Sequence, residues 1–184
     1  MLFLHSPHER FGEALLAAAR DYVRSGESEA INRYQPALDD FPAYLQRLRE
    51  LAAGVALAPG WVPVDHFWLI EDDVRLIGVS RLRPRLTAAL EQHGGHIGYD
   101  IAPGMRRRGY GMQLLRSTLP HARQAGLSEV LLTTNASNTA SIRIIEANGG
   151  CLQSASDAGS PPRPTRRYII DLNALPDFHM RAQL

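Results

Sequence analysis

Lysine is absent from this sequence: the 20 residues counted as Lys plus Arg are all arginine. The absence excludes a Schiff-base lysine and the lysine of a P-loop nucleotide site, so guanidinium groups are the fixed cations of the chain. Cysteine is almost absent as well. The single thiol, Cys151, cannot form an internal disulfide and is too little for a cysteine-rich zinc site, which predicts a reducing, cytoplasmic location.

Net charge and long apolar runs are also scarce. The formal net charge is +1, so the summed field that would draw a nucleic acid or an anionic membrane is weak. No stretch approaches the roughly 18 to 20 apolar residues that a membrane span needs. The apolar start, residues 1–5, is too short for a secretory signal and predicts a first strand. We therefore expect neither a nucleic-acid partner nor a membrane partner.

The composition that remains is typical of one globular domain. Of the 184 residues, 45% are hydrophobic and 21% are charged, which is enough apolar surface for a continuous core. We therefore predict a single domain over residues 1–184. Apolar residues at helical spacing predict helices at 9–24 and 41–53. Two apolar runs around an acidic turn predict an antiparallel hairpin of strands at 66–70 and 74–82.

The second half of the chain alternates strands and helices. Pro120 lies inside one predicted helix and should kink it or mark a join between two helices. The resulting order is βααββ(α)βαβαββ, with a short helix in parentheses. The elements predicted in this half are a short helix at 86–92, a strand at 96–102, a helix at 109–125, a strand at 129–134, a helix from Ser137 or Asn138 to 147, and strands at 151–156 and 166–172.

The loop after the strand at 96–102 has the features of an anion site. Pro103 ends the strand, and the run Arg106-Arg107-Arg108-Gly109-Tyr110-Gly111 leads directly into a helix. A helix that begins in this way leaves backbone N–H groups unpaired beside the positive end of its dipole. Glycine allows a phosphate to approach closely, and arginine offers fork-shaped donors. The sequence therefore predicts phosphate binding at this loop.

Two well-known phosphate-binding motifs do not fit the same residues. A P-loop needs Lys-Ser or Lys-Thr after its second glycine, where this chain has Met112-Gln113. A dinucleotide fingerprint needs a third glycine, where this chain has Leu114. The loop is thus predicted to bind an anion without being either of these motifs.

The order of several separated motifs resembles the acetyl-CoA-dependent N-acetyltransferase (GNAT) superfamily over residues 66–172. Segments 60–69 and 94–96 are similar to a bacterial branch of that superfamily. The segments that carry the wider resemblance are Ile97-Gly98-Tyr99-Asp100-Ile101-Ala102-Pro103, then the arginine and glycine run of the loop, then residues 135–143 with Glu146 and Asn148-Gly149.

The resemblance implies an α/β (α+β) fold in which a mixed, mostly antiparallel, seven-stranded sheet carries helices on both faces. It also implies acetyl transfer from acetyl-CoA to a small-molecule or peptide amine, by direct attack in a ternary complex. Residues 66–172 would form the cofactor-binding core, residues 1–64 the helices beside the acceptor, and residues 173–184 a tail. A homodimer is expected from the habits of the superfamily and from the apolar strand Tyr168-Ile169-Ile170, whose edge would need cover.

The same resemblance implies which residues bind the cofactor. The main chain of Tyr99, Asp100 and Ile101 would pair with the pantetheine amides like an added strand. Asn138 would contact the cofactor, and as an asparagine at a helix start it is also a good helix cap. The backbone amides that would hold the pyrophosphate are those of Arg106, Arg107, Arg108, Gly109, Tyr110, Gly111 and Met112.

Two positions depart from the superfamily pattern. Many members have a tyrosine that protonates the leaving thiolate where this chain has Ile145. Some members that acetylate protein N-termini have a glutamate base where this chain has Thr133. The resemblance therefore argues against an N-terminal peptide acetyltransferase of that type and leaves acid and base unassigned. A non-catalytic acyl-CoA-binding regulatory module is the alternative.

His96 is the best side-chain candidate for a catalytic base, because it begins the strand that leads to the thioester and imidazole titrates near neutral pH. Alternation along the strand puts it opposite Tyr99 unless a bulge intervenes, and a water relay from Asp100 or from backbone carbonyls is the other route. His93 and His96 do not predict a metal site, since no third ligand lies at a supporting spacing. Four acids could bind a cationic amine or serve as caps and turn residues: Asp39, Asp40, Asp65 and Glu71.

Overall fold

The computed structural model describes residues 1–156 and 164–176. Most of the predicted tail, residues 177–184, and nearly all of the loop at 157–164 lie outside the described residues. None of the helices in the described part has the length and the apolar character needed to cross a bilayer. Two 3₁₀ turns, Glu9–Phe11 and Pro103–Met105, accompany the main elements. These are β1 Leu2–His5, α1 Gly12–Arg24, α2 Ser28–Asp39, α3 Phe41–Ala53, β2 Asp65–Glu71, β3 Arg75–Leu82, α4 Ala88–Gln92, β4 Ile97–Ile101, α5 Tyr110–Gln124, β5 Glu129–Asn135, α6 Thr139–Ala147, β6 Cys151–Ser156 and β7 Thr165–Asp171.

The seven strands form two sheets in place of one continuous sheet. The first has the order β1-β2-β3-β4 and the second the order β5-β7-β6. All of these strand pairs are antiparallel. An isolated bridge between Gly95 and Leu132 connects the two sheets just before β4 begins. The described residues contain seven strands, which agrees with the predicted number, and the separation of β4 from β5 is the feature that positions the cleft.

Side chains alternate between the two faces of the first sheet, and helices cover both faces. Trp68 and Val79 pack with α1, α2 and α3 in one buried cluster. Leu69 and Ile77 pack with Leu114 of α5 in another. Because Trp68 and Leu69 are successive residues of β2 and point to opposite faces, these helices lie on opposite sides of the sheet. A register shift beside Leu69 and Ile70 interrupts the alternation along β3, so Ile77 lies on the face opposite to Val79. The predicted α/β fold, with antiparallel strands and helices on both faces, is confirmed.

Helix α2 is not among the predicted elements. Pro36 lies inside it, and a proline removes a backbone donor and crowds the preceding turn, which predicts a helix end. Tertiary packing outweighs this cost. Tyr34 and Ala37 are fully buried, and the Tyr34 ring stacks on Tyr22 of α1 with the ring centroids 4.2 Å apart. The helix therefore depends on its contacts with α1 and α3 more than on its own propensity.

Helix α5 continues through Pro120 as one element. Of the two predicted outcomes, a kink or a join, the join does not occur. Leu119 and Ala122, on either side of the proline, are buried in the core, so packing holds the helix where one backbone donor is missing. Gly126 follows the helix with φ of +87° and ends it in the left-handed conformation that glycine favours.

One buried cluster joins the two sheets. Phe67 and Leu82 of the first sheet pack with Val130 and Tyr168 of the second, and Leu115 of α5 lies among them. Apolar surface from both sheets is thus removed from water at the same place. The sheets therefore share a core although a single bridge is the pairing between them in the described part of the chain.

Strand β7 lies in the centre of the second sheet. It pairs with β5 on one side and with β6 on the other, so both of its edges are covered within the chain. The edge argument for a homodimer from Tyr168-Ile169-Ile170 is therefore wrong. Homodimerisation stays a prediction that rests on the resemblance alone.

Candidate active site

Strands β4 and β5 form no ladder with each other in the described chain and leave a cleft between them. The N–H of Ala102 donates to the carbonyl of Ile77 in β3 (3.0 Å). Main-chain direction alternates along an antiparallel strand, so Tyr99 and Ile101 direct their N–H groups away from β3 and into the cleft. An extended ligand that carries amide groups can pair with these free groups as an added strand.

The loop at 106–111 presents a run of unpaired backbone donors. Among the described residues, the N–H groups of 107–111 have no hydrogen-bond acceptor. They lie at the start of α5, at the positive end of the helix dipole. Arg107 and Gly109 adopt left-handed φ angles of +64° and +82°, which turn the chain at this point. The backbone geometry is that of an anion site.

The two glycines of this loop serve different purposes. Gly109 has nothing within 4 Å of the position that a Cβ would take, so its positive φ is the reason for glycine there. At Gly111 a Cβ would lie 2.5 Å from Cδ1 of Ile144 in α6. Glycine at that position allows α5 and α6 to pack closely. The sequence predicted that both glycines serve phosphate approach. The structure gives a backbone reason for glycine at 109 and a packing reason at 111, and phosphate approach stays a prediction at both.

The three arginines of the loop are not equivalent. Arg106 donates from Nε to the carbonyl of Ile101 (3.1 Å), and its terminal nitrogens form a two-point ion pair with Glu27 (2.6 and 3.1 Å). Arg107 and Arg108 are exposed and form no ion pair within the described residues. Two guanidinium groups are therefore open to an anion, while Arg106 fastens the loop to the start of α2.

The next two predicted contacts, Tyr110 and Met112, also differ. The Tyr110 hydroxyl donates to Oε1 of Glu71 (3.1 Å), and its backbone N–H remains among the free donors. The N–H of Met112 donates to the carbonyl of Gly109 (3.1 Å), and its own carbonyl accepts from Nδ2 of Asn148 (3.3 Å). A backbone contact with phosphate is therefore available at Tyr110 but not at Met112.

The start of α6 forms one wall of the cleft. Oδ1 of Asn138 accepts from the N–H of Ser141 (3.0 Å) and caps the helix. The Tyr99 hydroxyl lies 2.8 Å from Oγ of Ser141 and joins β4 to α6. Burial raises the pKa of Tyr99 to about 12, against the opposing effect of the Ser141 hydrogen bond, so the phenol stays protonated at neutral pH. Ile145 lines the same wall, one helical turn beyond Ser141.

Asp100 is the centre of a polar network on the other face of β4. Its carboxylate accepts from the hydroxyls of Tyr22 (2.7 Å) and Tyr34 (2.5 Å), and it lies 2.9 Å from Arg33 and 2.7 Å from Arg81. Burial alone would raise the pKa of Asp100, but the two guanidinium groups outweigh it and hold the pKa below its usual value. The sequence predicted that its main chain meets the cofactor. The structure turns that main chain toward β3 and the side chain into this network.

The two predicted histidines lie in different settings. The N–H of His96 donates to the Leu131 carbonyl (2.8 Å), and its Nδ1 accepts from the Leu131 N–H (2.9 Å). This contact places the ring proton on Nε2, and burial lowers the pKa of His96. His93 lines the cleft, with Nδ1 3.4 Å from Oγ1 of Thr165. Among the described residues, no group of three His, Cys, Asp or Glu side chains could hold a metal ion.

The remaining wall of the cleft is rich in arginine, a feature that no predicted motif includes. Arg33, Arg81 and Arg83 line it. One signal for it is present in the sequence: Arg81 stands two residues after the apolar Val79 in the same strand, and therefore on the same face. The acids predicted to bind a cationic amine lie elsewhere. Asp39, Asp40, Asp65 and Glu71 are not among the residues that line the cleft.

Comparison with known proteins connects this geometry to a family. The model of the acetyltransferase (GNAT) family matches residues 33–149, which include β4, the loop at 106–111 and α6. The chain belongs to the GNAT acetyltransferase family. It is therefore an acyltransferase of a family that uses acetyl-CoA.

Solved structures share the fold of this acetyltransferase. RimJ of Mycobacterium smegmatis, in complex with CoA-disulfide, is 18% identical with a TM-score of 0.69, over 96% of this chain and 84% of that chain. The spermidine N-acetyltransferase of Vibrio cholerae, in complex with CoA and spermine, is 14% identical with a TM-score of 0.60, over 94% and 96%. At these identities the likeness is one of fold. No curated protein matches the sequence.

Proposed function

We propose that this acetyltransferase transfers the acetyl group of acetyl-CoA to an amine of a small molecule or peptide, by direct attack of the neutral amine in a ternary complex. The observation that carries the proposal is the continuity of two kinds of free donor. Main-chain groups of Tyr99 and Ile101 face the cleft, and the same strand leads to the free N–H groups at the start of α5. A thioester on an amide-bearing arm that ends in a pyrophosphate needs these donors in that order.

Each part of acetyl-CoA would meet chain groups of fitting chemistry. The N–H groups of 107–111 would hold the pyrophosphate, with Arg107 and Arg108 adding charge. The main chain of Tyr99 would pair with the pantetheine arm. Nδ2 of Asn138 would contact the cofactor, because Oδ1 is committed to the helix cap. When bound, acetyl-CoA supplies an activated acyl group to this cleft.

Two groups of the chain would stabilise charge during transfer. The N–H of Ile101 faces the cleft and would donate to the oxygen of the reacting carbonyl. Many family members have a tyrosine at the position of Ile145, and its phenol donates to the departing thiolate. In this chain the hydroxyl groups of Tyr99 and Ser141 would donate instead. With its pKa raised to about 12, Tyr99 acts as a hydrogen-bond donor, and the proton of the product thiol comes from solvent.

The amine must lose a proton before or during attack. A proton accepted by His96 would have to go to Nδ1, because Nε2 is already protonated, and this would break the contact with Leu131. His93 lines the cleft and bears no such strand-holding contact. These contacts support His93 as the base in preference to the predicted His96.

Acetyl-CoA binding tests the cofactor part of the proposal. We expect Gly109→Ala to weaken binding by about 5- to 30-fold, since about 1 to 2 kcal/mol of backbone strain drives the free loop out of the conformation that presents its donors. Gly126→Ala is the matched control. It has a similar φ (+87° against +82°) and open space around the Cβ position, but lies at the other end of α5. Calorimetric titration should show normal affinity for the control. Normal affinity for Gly109→Ala as well would contradict the assignment.

The transfer step is tested with acetyl-CoA and a panel of amines, following both CoA release and the acetylated product by mass spectrometry. Release of CoA together with an acetylated amine is the expected result. Release of CoA without such a product would show thioester hydrolysis instead. Tight binding with neither product would support the non-catalytic acyl-CoA-binding module and contradict the transferase proposal.

A further inference from the structure

The arginine-rich wall of the cleft holds more positive charge than the acid within it can neutralise. Arg33 reaches the wall from α2, Arg81 from β3, and Arg83 from the segment that follows β3. Asp100 lies within ion-pair distance of Arg33 and Arg81. One carboxylate therefore faces three guanidinium groups in the interior of the cleft.

Arg83 is the member of this group without a carboxylate partner among the described residues. Its Nη1 donates to the carbonyl of Gly95 (3.2 Å), and the side chain is half-buried. Burial lowers the pKa of Arg83, and repulsion from Arg81 and Arg33 lowers it further. A partly buried cation beside other cations is costly unless an anion joins it.

Arg81 supplies a second open donor. The residue is 9% exposed. Its Nη1 lies 2.7 Å from Oδ2 of Asp100 but is not aligned for a hydrogen bond, and it has no acceptor among the described residues. Buried donors are normally paired. Its ion pair with Asp100 therefore leaves this nitrogen without a well-aligned acceptor among the described residues.

Gly98 lies where the two guanidinium groups approach β4. A Cβ there would lie 3.7 Å from Nε and Nη2 of Arg81 and 3.8 Å from Nη1 of Arg83. Both groups thus border one point on the strand. That point is next in sequence to Tyr99, whose main chain faces the proposed thioester position. A small anion at this point is within reach of both arginines.

Nearby ionisable groups do not cancel this charge. Glu27 is already paired with Arg106 (2.6 Å). Glu29 is exposed in the first turn of α2, where water and salt screen its charge. His66 pairs with Arg81 across β2 and β3, and it is neutral at pH 7 because burial lowers its pKa to about 4.

We infer that the acceptor is an amine that also carries a carboxylate, as a free amino acid does, and that Arg83 and Arg81 bind that carboxylate. The inference rests on the proposed acetyl transfer and names its substrate class. A guanidinium fork matches the two oxygens of a carboxylate. With the carboxylate held beside Gly98, the amine of a small acceptor is directed to the part of the cleft beside Tyr99. A polyamine would meet like charge at the same wall.

Matched acceptors test this inference. Free amino acids are compared with their carboxamides and with the corresponding amines that lack the carboxylate. All rates are corrected for the fraction of neutral amine. We expect the carboxylates to be preferred, and Arg83→Gln to lower their kcat/KM by about 10- to 100-fold through KM, as for a lost charged hydrogen bond. Carboxamides should change by less than about 2-fold. Arg85→Gln, an exposed arginine two residues along that does not line the cleft, is the control.

Other results would overturn the inference and leave the proposed function standing. One such result is that carboxamides or polyamines are acetylated as fast as carboxylates. Another is that Arg83→Gln lowers only the affinity for acetyl-CoA, which would show that this guanidinium binds the cofactor. If no amine is acetylated, the proposed function fails. The inference is then tested by titrating N-acetyl amino acids and their amides into the wild type and Arg83→Gln. Equal affinity for acids and amides, unchanged in Arg83→Gln, would overturn it. An unchanged Tm would show that Arg83→Gln is folded.

Discussion

At the residue scale, Arg106 and Arg83 differ in what surrounds them more than in what they are. Both are arginines close to the cleft. Arg106 is joined by Glu27 and the carbonyl of Ile101, and its donors are spent on holding a loop. Arg83 donates a hydrogen bond to one carbonyl, and its other charged neighbours are arginines that repel it. The run of arginines at 106–108 is the clearest anion-binding signal in the sequence. In the structure, the half-buried Arg83, which has no carboxylate partner among the described residues, is a better candidate than Arg106 to bind an anion.

The two histidines can be separated by pH profiles, using an acetylated amine from the panel. We expect His93→Gln to remove the rise of kcat/KM with pH that a general base produces. His96→Asn should leave the profile unchanged, because Oδ1 can replace Nδ1 as the acceptor for Leu131. His96→Ala should keep the profile but lower stability by about 1 to 2 kcal/mol, since a backbone N–H loses its partner. A profile altered in His96→Asn and intact in His93→Gln would reverse the assignment.

At the element scale, strand β3 separates the arginine-rich wall of the cleft from helix α5. Ser80 points to α5, where its hydroxyl lies 2.7 Å from Oγ1 of Thr118. Val79 and Arg81 point to the opposite face, covered by α1 to α3. A shift of the strand register by one residue would move each of these side chains to the other face of the sheet. The element thus keeps the arginine-rich wall on one side of the sheet and α5, which we propose binds the cofactor at its start, on the other.

His66 of β2, on the same face as Arg81, makes stability depend on pH. Burial lowers its pKa to about 4 from the ordinary 6.5, so between these values the unfolded chain binds a proton that the folded chain does not. Stability is therefore highest above pH 6.5 and falls as the pH drops toward 4. Between pH 7.5 and pH 5 we expect a loss of about 2 kcal/mol from this residue.

Urea unfolding of the wild type and of His66→Gln at the two pH values measures this contribution. The other histidines remain in both proteins, so the difference between their pH responses isolates His66. We expect the variant to lose less stability on acidification than the wild type. Parallel losses in the two proteins would show that His66 is not buried in its neutral form.

At the scale of the whole molecule, two sheets that share one bridge are held together by side chains. Phe67 from the first sheet and Tyr168 from the second meet around Leu115 of α5. Strand β1 pairs with β2, so the first part of the chain also belongs to the first sheet. These contacts support the proposal that residues 1–184 form a single domain in place of separable acceptor and cofactor units.

A shared core predicts that the molecule unfolds in one cooperative transition. We expect the calorimetric and van't Hoff enthalpies to agree, and tryptophan fluorescence and far-UV circular dichroism to give the same Tm. Leu115→Ala, which opens a cavity between the sheets, should shift both probes together and cost about 2 to 5 kcal/mol. Two separate transitions, or a shift in one probe alone, would contradict the single-domain proposal.

Local pattern explains what could be predicted from the sequence. Helix α3 was predicted with its observed bounds, because an apolar stripe lies between an aspartate cap and a closing glycine. The hairpin of β2 and β3 follows from two apolar runs around an acidic turn. Helix α2 was missed because Pro36 predicts a helix end, and the burial of Tyr34 against Tyr22, which stabilises the helix, depends on tertiary packing. The central place of β7 was missed since strand order depends on pairing between distant segments.

The sequence by itself determined the family, the position of the loop before α5 that we propose binds an anion, and the absence of lysine, because motifs and composition do not depend on the fold. Tertiary structure alone decided which of those residues remain free. Glu27 reaches Arg106 across 79 positions of sequence, and Tyr22 reaches Asp100 across 78. Partners so far apart meet only after the chain has folded, and a charged group can bind a ligand only where folding has left it without a partner of its own.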